Sequence, residues 1–293
     1  MRKSDPYLAA MLSAENVVKQ HGISKLPVDP IALAQDLGIT VVAKPASAQG
    51  VSGMLLRHGN TFEIAYATHI HNIGFRHFSV AHELGHYFLP GHIDAVVSDG
   101  DVHESHAGFG SGDRYEMEAD HFAATLLMPR RLFTNAMRSA GVGLSAIERL
   151  AKQCRTSLTA TGIRYTKCTG DPVAIVLSTG ARINYCFMSE ALKEVEGLNW
   201  IRKGEGLSRA TATLAFNQDP ERIRRADREQ DVSNLQDWFG GDRSLSATEE
   251  VIGLGSYGKT LTVLTALDLD EQIDEIEEEA EFVESWRPRF RRH

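Results

Sequence analysis

Apolar residues recur at the spacing of an α-helix in two segments of the chain, residues 75–89 and residues 115–129. Each segment has an apolar face and a polar edge, which is typical of a helix packed against a core. Pro90 with Gly91 ends the first segment, and Pro129 ends the second. The pattern therefore predicts two amphipathic helices whose polar edges carry histidines and carboxylates.

Shorter patterns ahead of these helices predict two more helices and a small antiparallel sheet. The helices are expected at residues 6–20 and 31–37, and the strands at residues 39–43, 50–56 and 62–67. A turn signal at residues 57–60 joins the last two strands into a hairpin. An exposed edge of such a sheet can hold an extended peptide by strand addition.

Residues 144–167 are predicted to form two short helices broken near residues 155–157, which is a helix-turn-helix pattern. One interpretation is DNA binding through the second helix, where Arg164 and Lys167 would meet phosphate. The other is a helical pair that supports the preceding domain. Because the whole chain is acidic, the second interpretation is at least as well supported as the first.

The pattern changes to strands after residue 170, which predicts a separate mixed α+β domain. Its strands are expected at residues 173–177, 182–188, 250–255 and 260–266, around a polar and poorly patterned middle at residues 204–247. An acidic helix is predicted at residues 268–284, most simply as a solvated helix face.

The first amphipathic helix contains the pattern H-E-x-x-H at His82, Glu83 and His86. Residues four apart share a helix face, so the two histidines can bind one metal ion. Glu83 lies beside that face and can act as general base on a metal-bound water. The motif thus predicts a metal centre with the chemistry of a peptidase.

A zinc peptidase needs a third protein ligand and a carboxylate that orients a ligating histidine. Glu116 and Asp120 lie four apart on the second amphipathic helix and are predicted to fill these two roles. Glu118 lies about 200° around the helix from Glu116 and is expected to face solvent. His92 is the alternative metal ligand, because it follows His86 at the interval of the metzincin motif although Leu89 replaces that motif's glycine.

Residues 91–113 are rich in Gly, Asp and Ser and are predicted to form a long loop, either a lid or a mobile segment. His103 or His106 in this segment could donate to a transition-state oxyanion, and the sequence leaves the choice open. His69 and His71, which precede the motif helix, are interpreted as polar loop residues.

Composition narrows the class of protein without naming a function. The chain of 293 residues has room for two domains, and its net charge of −8 argues against bulk nucleic-acid binding. The three cysteines lack the spacing of metal ligands and favour reduced thiols in the cytoplasm. No segment has the apolar length of a signal core or a membrane span, so no membrane partner is expected.

The segment at residues 26–129 resembles the ImmA/IrrE family of zinc metallopeptidases. The resemblance rests on Leu-Pro-Val-Asp-Pro at 26–30, Leu-Gly-Ile-Thr-Val-Val at 37–42, Phe-Ser-Val-Ala-His-Glu-Leu-Gly-His at 78–86 and the stretch at 116–129. It implies that His82, His86 and Glu116 bind zinc and that Glu83 is catalytic. Asp120 stands where many members have asparagine, and either side chain can bond a histidine N–H.

The expected fold class is therefore α+β, in three parts. These are a zincin-like metallopeptidase domain at residues 1–140, a helix-turn-helix-like segment at 141–169, and a sensor or docking domain at 170–293. The order of elements in the last part is similar to the GAF-like domain of the longer IrrE members.

The expected function is that of a cytoplasmic, zinc-dependent endopeptidase with one Zn²⁺ per chain, Mn²⁺ being the alternative ion. Family resemblance implies a substrate among helix-turn-helix repressors, whose cleavage would derepress stress or mobile-element genes. The alternative is a DNA-binding or protein-binding transcription regulator, such as a phage or toxin–antitoxin partner, whose metal site is structural. Specific, salt-sensitive DNA binding without proteolysis would favour that alternative.

Overall fold

A computed structural model of the protein describes residues 6–44, 51–68, 72–97, 102–106 and 113–267. The predicted acidic helix at 268–284, His69 and His71 lie outside the described residues, as does the side chain of His106. Contacts divide the chain into two compact units, residues 1–168 and 169–293. The mixed α+β class is confirmed.

The first unit contains the metal motif, and it has most of its strands before the motif helix and most of its helices after it. They are α1 (Pro6–Gln20), α2 (Pro30–Asp36), β1 (Thr40–Lys44), β2 (Val51–His58), β3 (Thr61–Ala67), α3 (Ile73–Phe88), α4 (His92–Val96), β4 (Val102–His106), α5 (Arg114–Leu127), α6 (Arg130–Ala140), α7 (Gly143–Cys154) and α8 (Leu158–Thr166). The helices predicted around the motif segments, α3 and α5, therefore form within one residue or two of their predicted limits.

The sheet of the first unit has the strand order β1-β3-β2-β4. The predicted hairpin of β2 and β3 is antiparallel, whereas β1 pairs with β3 in parallel. The prediction of an uninterrupted loop at residues 91–113 was wrong, because α4 and β4 form there. Strand β4 pairs antiparallel with β2 and has His103 opposite Leu55. It is therefore stabilised by hydrogen bonds to a strand that is distant in the sequence.

Helices α3 and α5 pack closely, and this contact brings the two halves of the motif together. An added Cβ on Gly85 would lie 3.0 Å from the Cα of Ala119, so these two small residues set how closely the helices approach. Leu84, Phe122 and Leu126 are fully buried in the same core. Removing that apolar surface from water stabilises the pair by about 25 cal/mol per Å².

Polar caps determine where both helices begin. The side chain of Asn72 accepts a hydrogen bond from the backbone N–H of Phe75 at the start of α3, at 3.2 Å. Asp113 accepts from the N–H of Tyr115 at the start of α5, at 2.7 Å. Each cap satisfies an N–H that the helix itself leaves without a partner.

The predicted helix-turn-helix-like pair forms as α7 and α8, with Arg155 between them in the left-handed conformation at φ 56°. The proposal that Arg164 meets phosphate was wrong. Its side chain is buried, and its Nη2 lies 3.5 Å from the carboxylate of Glu15 on α1. The same carboxylate accepts from the backbone N–H of Arg130 at 2.7 Å, so Glu15 joins three segments of the unit.

The second unit is built on a five-stranded antiparallel sheet with the order β6-β5-β9-β8-β7. Its elements are β5 (Val173–Thr179), β6 (Arg182–Met188), α9 (Glu190–Lys193), α10 (Ala212–Asn217), α11 (Pro220–Arg224), β7 (Arg228–Asn234), α12 (Leu235–Phe239), β8 (Ser246–Gly253) and β9 (Thr260–Ala266). The polar middle at residues 204–247 is thus not without structure, since it contains three helices and the edge strand β7. The assignment of this unit as GAF-like stays a prediction.

Candidate metal centre

His82, His86 and Glu116 meet between α3 and α5, with one potential ligand atom from each lying within 4.8 Å of the others. The Nε2 atoms of the two histidines are 3.1 Å apart. The carboxylate of Glu116 lies 3.3 Å from each of these nitrogens, through Oε2 to His82 and Oε1 to His86. The structure therefore brings together the three side chains that the sequence predicts as metal ligands.

Asp120 contacts the back of one of these histidines. Its Oδ1 lies 2.9 Å from Nδ1 of His82, the ring nitrogen that does not face Glu116. Glu116 and Asp120 are one helical turn apart on α5, so a single helix face supplies both carboxylates. A carboxylate in this position fixes the orientation of a ligating imidazole.

His92 and Glu118 lie on the opposite side of His86. Nδ1 of His92 is 3.2 Å from Nδ1 of His86, and Nε2 of His92 is 3.0 Å from Oε2 of Glu118. The expectation that Glu118 faces solvent was wrong, because its side chain is 9% exposed and also pairs with Arg114. His92, the alternative ligand, thus reaches the ring of His86 on the side away from Glu116.

Glu83 is completely buried beside the three-residue cluster. A Cβ added to Gly53 of β2 would lie 2.6 Å from Oε1 of Glu83, so the glutamate occupies space that a side chain on the strand would take. The register of β2 with β4 shifts between Val51 and Gly53, so the pairing is irregular next to this glycine. Burial raises the pKa of Glu83, although the charge of His82 opposes that shift.

His103 on β4 contacts two members of the cluster, Glu116 and His86. Its Nε2 lies 3.0 Å from Oε1 of Glu116, and its ring centroid is 4.6 Å from that of His86. Burial lowers the pKa of His103, but contact with Glu116 and the charge of Glu83 raise it above its ordinary value overall. Of the two histidines considered as oxyanion donors, His103 is the one whose side chain is described.

The electrostatics of the cluster favour a bound positive charge. Burial works against ionisation of Glu116, but His103, His82 and His86 hold the pKa of its carboxyl well below the usual range. His82 is buried too, yet Asp120 and Glu116 raise its pKa to about 10. Burial lowers the pKa of His86 to about 4, leaving it a neutral ligand. Without metal, a proton on His82 therefore supplies the cation that the carboxylates attract.

The donor set fits a metal ion. Among the described residues, both carboxylate oxygens of Glu83 are buried with no hydrogen-bond partner, and Oε1 of Glu116 lies near the nitrogens of His86 and His103 but completes no hydrogen bond with either. The hydroxyl of Ser105 lowers the pKa of Glu83 but completes no hydrogen bond with it. Two imidazole nitrogens and a carboxylate are the three protein ligands of many catalytic zinc sites, which keep a fourth position open.

These features are the ones that a metallopeptidase-type site requires, and they lie on an α+β scaffold. The family model Peptidase_M78, described as the IrrE N-terminal-like domain, matches residues 34–166. The resemblance to the ImmA/IrrE family is thereby confirmed, and this segment of the chain is an IrrE N-terminal-like domain. It contains His82, Glu83, His86 and Glu116.

The fold is also similar to a solved structure, a Mycobacterium tuberculosis transcriptional regulator. The two chains share 18% sequence identity at a TM-score of 0.53, and the match covers 90% of this chain and 76% of the other. The likeness shows the fold, and it extends beyond the peptidase-type domain. A search of curated proteins found no match.

Sequence reasoning missed the contacts around His92, Glu118 and Gly53. Glu118 is only two residues from Glu116, and nothing in the helical pattern shows that His92 would cover it. The available signal was the position of Glu118 one helical turn before the apolar Phe122, since a buried carboxylate needs a partner. Across the described ranges, no helix is both long and apolar enough to cross a membrane.

Proposed function

We propose that the protein is a zinc-dependent endopeptidase that acts in the cytoplasm. The observation that carries the proposal is the meeting of His82, His86 and Glu116 with the buried, unpartnered carboxylate of Glu83 next to them. A buried carboxylate without hydrogen bonds is costly, and such cost is typical of functional sites. The match to a peptidase family supports the same activity.

His82, His86 and Glu116 would hold the zinc ion, with Asp120 orienting His82. When bound, zinc lowers the pKa of a coordinated water and polarises a carbonyl. Nitrogen and carboxylate ligands also suit Mn²⁺ as the alternative ion. The three free cysteines are consistent with a reducing compartment.

Glu83 would take the proton of the attacking water on a carboxylate oxygen and return it to the leaving amine. Its raised pKa suits this role, because a general base works best when its pKa approaches the working pH. Burial within the protein keeps bulk water from solvating the carboxylate. Gly53 supports the role by leaving the space in which the carboxylate lies.

His103 would donate a hydrogen bond to the oxyanion that forms at the scissile carbonyl. Its raised pKa favours the protonated ring. Its position on β4 places Nε2 next to the carboxylate of Glu116, which also contacts the two histidine ligands. Strand β4 is the last strand in the described sheet order, so its outer edge can pair with an extended peptide. A substrate bound there would lie next to the proposed catalytic groups.

The proposed substrate is a helix-turn-helix transcriptional repressor, cut to derepress stress or mobile-element genes. The support is the family resemblance and the similarity of fold to a transcriptional regulator. The second unit would act as a sensor or docking domain. Among its described residues no cluster of histidine, cysteine and carboxylate ligands is found.

A second candidate function is direct transcription regulation by DNA binding. The formation of α7 and α8 as a helical pair favours it, as does the name of the structural neighbour. The buried ion pair of Arg164 with Glu15 weighs against it, because this arginine is not free to meet phosphate.

The proposal is tested by incubating the zinc-loaded protein with a repressor encoded near its gene and identifying products by mass spectrometry. We expect a single cut that disappears in Glu83→Gln. The same repressor left intact, together with salt-sensitive binding of the protein to operator DNA, would support the second candidate instead.

The metal assignment is tested by measuring zinc content in Glu116→Ala. Loss of one of three ligands should weaken zinc binding severely, since the remaining site offers only two imidazoles. Wild-type zinc content in Glu116→Ala, combined with loss in His92→Ala, would move the third ligand to His92.

A further inference from the structure

The ring of His86 has a buried polar neighbour on each of its nitrogens. Its Nε2 faces His82 and Glu116, at 3.1 Å from His82 Nε2 and 3.3 Å from Glu116 Oε1. Its Nδ1 faces Nδ1 of His92 at 3.2 Å. His86 and His92 are 0% and 1% exposed, so water does not compete for either contact.

One assignment of protons satisfies this arrangement. A neutral His86 that offers the Nε2 lone pair to a metal carries its proton on Nδ1, so Nδ1 must donate. Nδ1 of His92 must then accept, which places the proton of His92 on Nε2. That N–H donates to Oε2 of Glu118 over 3.0 Å. The chain of hydrogen bonds therefore runs from His86 through His92 to a carboxylate.

The end of this chain is itself fixed. Both carboxylate oxygens of Glu118 have a partner, because Arg114 Nε pairs with Oε1 and Nε2 of His92 lies 3.0 Å from Oε2. Arg114 reaches Glu118 from one turn earlier on α5. Gly91 has a left-handed backbone at φ 78° and forms the turn between α3 and His92. The turn at Gly91 and the contact with Glu118 thus both hold His92 in position.

We infer that His92 and Glu118 are positioning residues that fix the tautomer and the orientation of His86 for metal binding. The inference rests on the proposed metal site and adds to it a hydrogen-bonded support for the second histidine. Asp120 makes the corresponding contact with His82 directly, whereas His86 is reached through an intervening imidazole. Helix α5 would then supply a ligand and both carboxylate supports.

The test compares zinc affinities of full-length variants by competition with a chromophoric chelator. His92→Phe keeps a ring of similar volume but removes the acceptor, and should weaken zinc binding about 10–100-fold, the usual effect of losing such support. His92→Asn should recover much of that loss, because its side-chain oxygen can take the place of Nδ1. Glu118→Gln should weaken binding about tenfold at most.

The matched control is His77→Phe, which makes the same substitution at a different buried histidine, one that lies on α3. It should leave zinc affinity unchanged. Thermal unfolding of the metal-free proteins separates a general loss of stability from a specific loss of affinity. If His92→Phe does not fold, Glu118→Gln decides the question, because it alters the support from the far end.

Three results would overturn the inference. His92→Phe with wild-type affinity would show that His86 needs no support, and equal losses in His92→Phe and His92→Asn would show that only packing matters. X-ray absorption of the zinc site should count two imidazoles in wild type and in His92→Phe, so three in wild type would make His92 a ligand. A wild-type protein that binds no zinc would instead refute the proposed function itself.

Discussion

Glu83 in the first unit and Glu249 in the second are both completely buried, and they are held in opposite ways. Glu249 accepts hydrogen bonds from the N–H and the hydroxyl of Thr213, at 2.6 and 2.7 Å, and from Trp238 Nε1 at 3.4 Å. Neither oxygen of Glu83 has such a partner among the described residues. A buried carboxylate with its hydrogen bonds made stabilises a fold, whereas one without them is held ready for a ligand or a proton.

The largest effect in a test of this comparison is expected from Glu83→Gln. The amide keeps the shape of the side chain but cannot take up the proton, so the rate of cleavage should fall about 10²–10⁴-fold or more. The melting temperature should not fall, because no hydrogen bond is lost. Cleavage rates and thermal melts of the zinc-loaded protein measure both effects. Cleavage at nearly the wild-type rate would remove Glu83 from its role as base.

The matched substitution in the second unit is Glu249→Gln, and the opposite result is expected. The amide must turn a donor towards Trp238 or Thr213, so one buried donor is left without an acceptor. The free energy of unfolding should decrease by about 1–3 kcal/mol. Cleavage of a small peptide by the folded fraction should be unchanged, since among described residues the proposed ligands all belong to the first unit.

Two glycines sharpen the comparison. In Gly53→Ala the new Cβ would lie 2.6 Å from Oε1 of Glu83, so the carboxylate must move. A displacement of about 1 Å at a catalytic group can reduce the rate about 10²-fold. We expect that reduction with zinc affinity retained, measured by steady-state kinetics and chelator competition. A wild-type rate would show that Glu83 has room to adjust.

Gly253 serves as the control, because its added Cβ would meet the backbone oxygen of Ile223 at 2.5 Å. Gly253→Ala should lower the free energy of unfolding by about 1–3 kcal/mol, the range for forcing atoms into a packed core. The rate per folded molecule should stay the same.

Metal binding should release about one proton per chain near pH 7. The pKa of His82 is raised to about 10 without metal, so its ring is protonated there and must lose that proton to bind. The pKa of His86 is lowered to about 4, so it releases none. Affinity should therefore increase about tenfold per pH unit between pH 6 and 8. Calorimetry in buffers of different ionisation enthalpy counts the protons, and a count of zero would contradict this reasoning.

The smallest effect is expected from removing the second unit after Gly170. Zinc affinity should be unchanged, because His82, His86 and Glu116 lie in the first unit, which has its own core. Cleavage of the full protein substrate, or its regulation, should be what suffers. A truncated protein that is folded but binds no zinc would show that a ligand comes from the second unit.

The sequence predicted the elements whose pattern is local and strong. Helix α1 begins and ends as expected, and α3, α5 and the hairpin of β2 and β3 follow from their periodicity and turn signals. Strand β4 could not be predicted in this way. Its residues Val-His-Glu-Ser-His have a single apolar member, and the strand exists because β2 offers it a hydrogen-bonding edge.

The residues of the candidate site also fall into those that a local pattern predicts and those that depend on distant partners. The spacing of four residues within α3 and α5 was enough to predict His82, His86 and Glu116, because a helix places such residues on one face. Spacing could not reveal that Glu118 is buried, since its partner His92 is 26 residues away in the chain. Gly53 was equally hidden, because its importance depends on which side chain approaches the strand.

Each unit joins elements from its beginning and its end, which has a consequence for synthesis on the ribosome. Glu15 pairs with Arg164, which lies 149 residues later, and β5 pairs with β9. Neither unit can finish folding before its last partner has been translated. At about 5–20 residues per second, translation completes β9 on the order of ten seconds after Arg164. The proposed zinc ligands can thus assemble, and acquire metal, on a nascent chain whose second sheet does not yet exist.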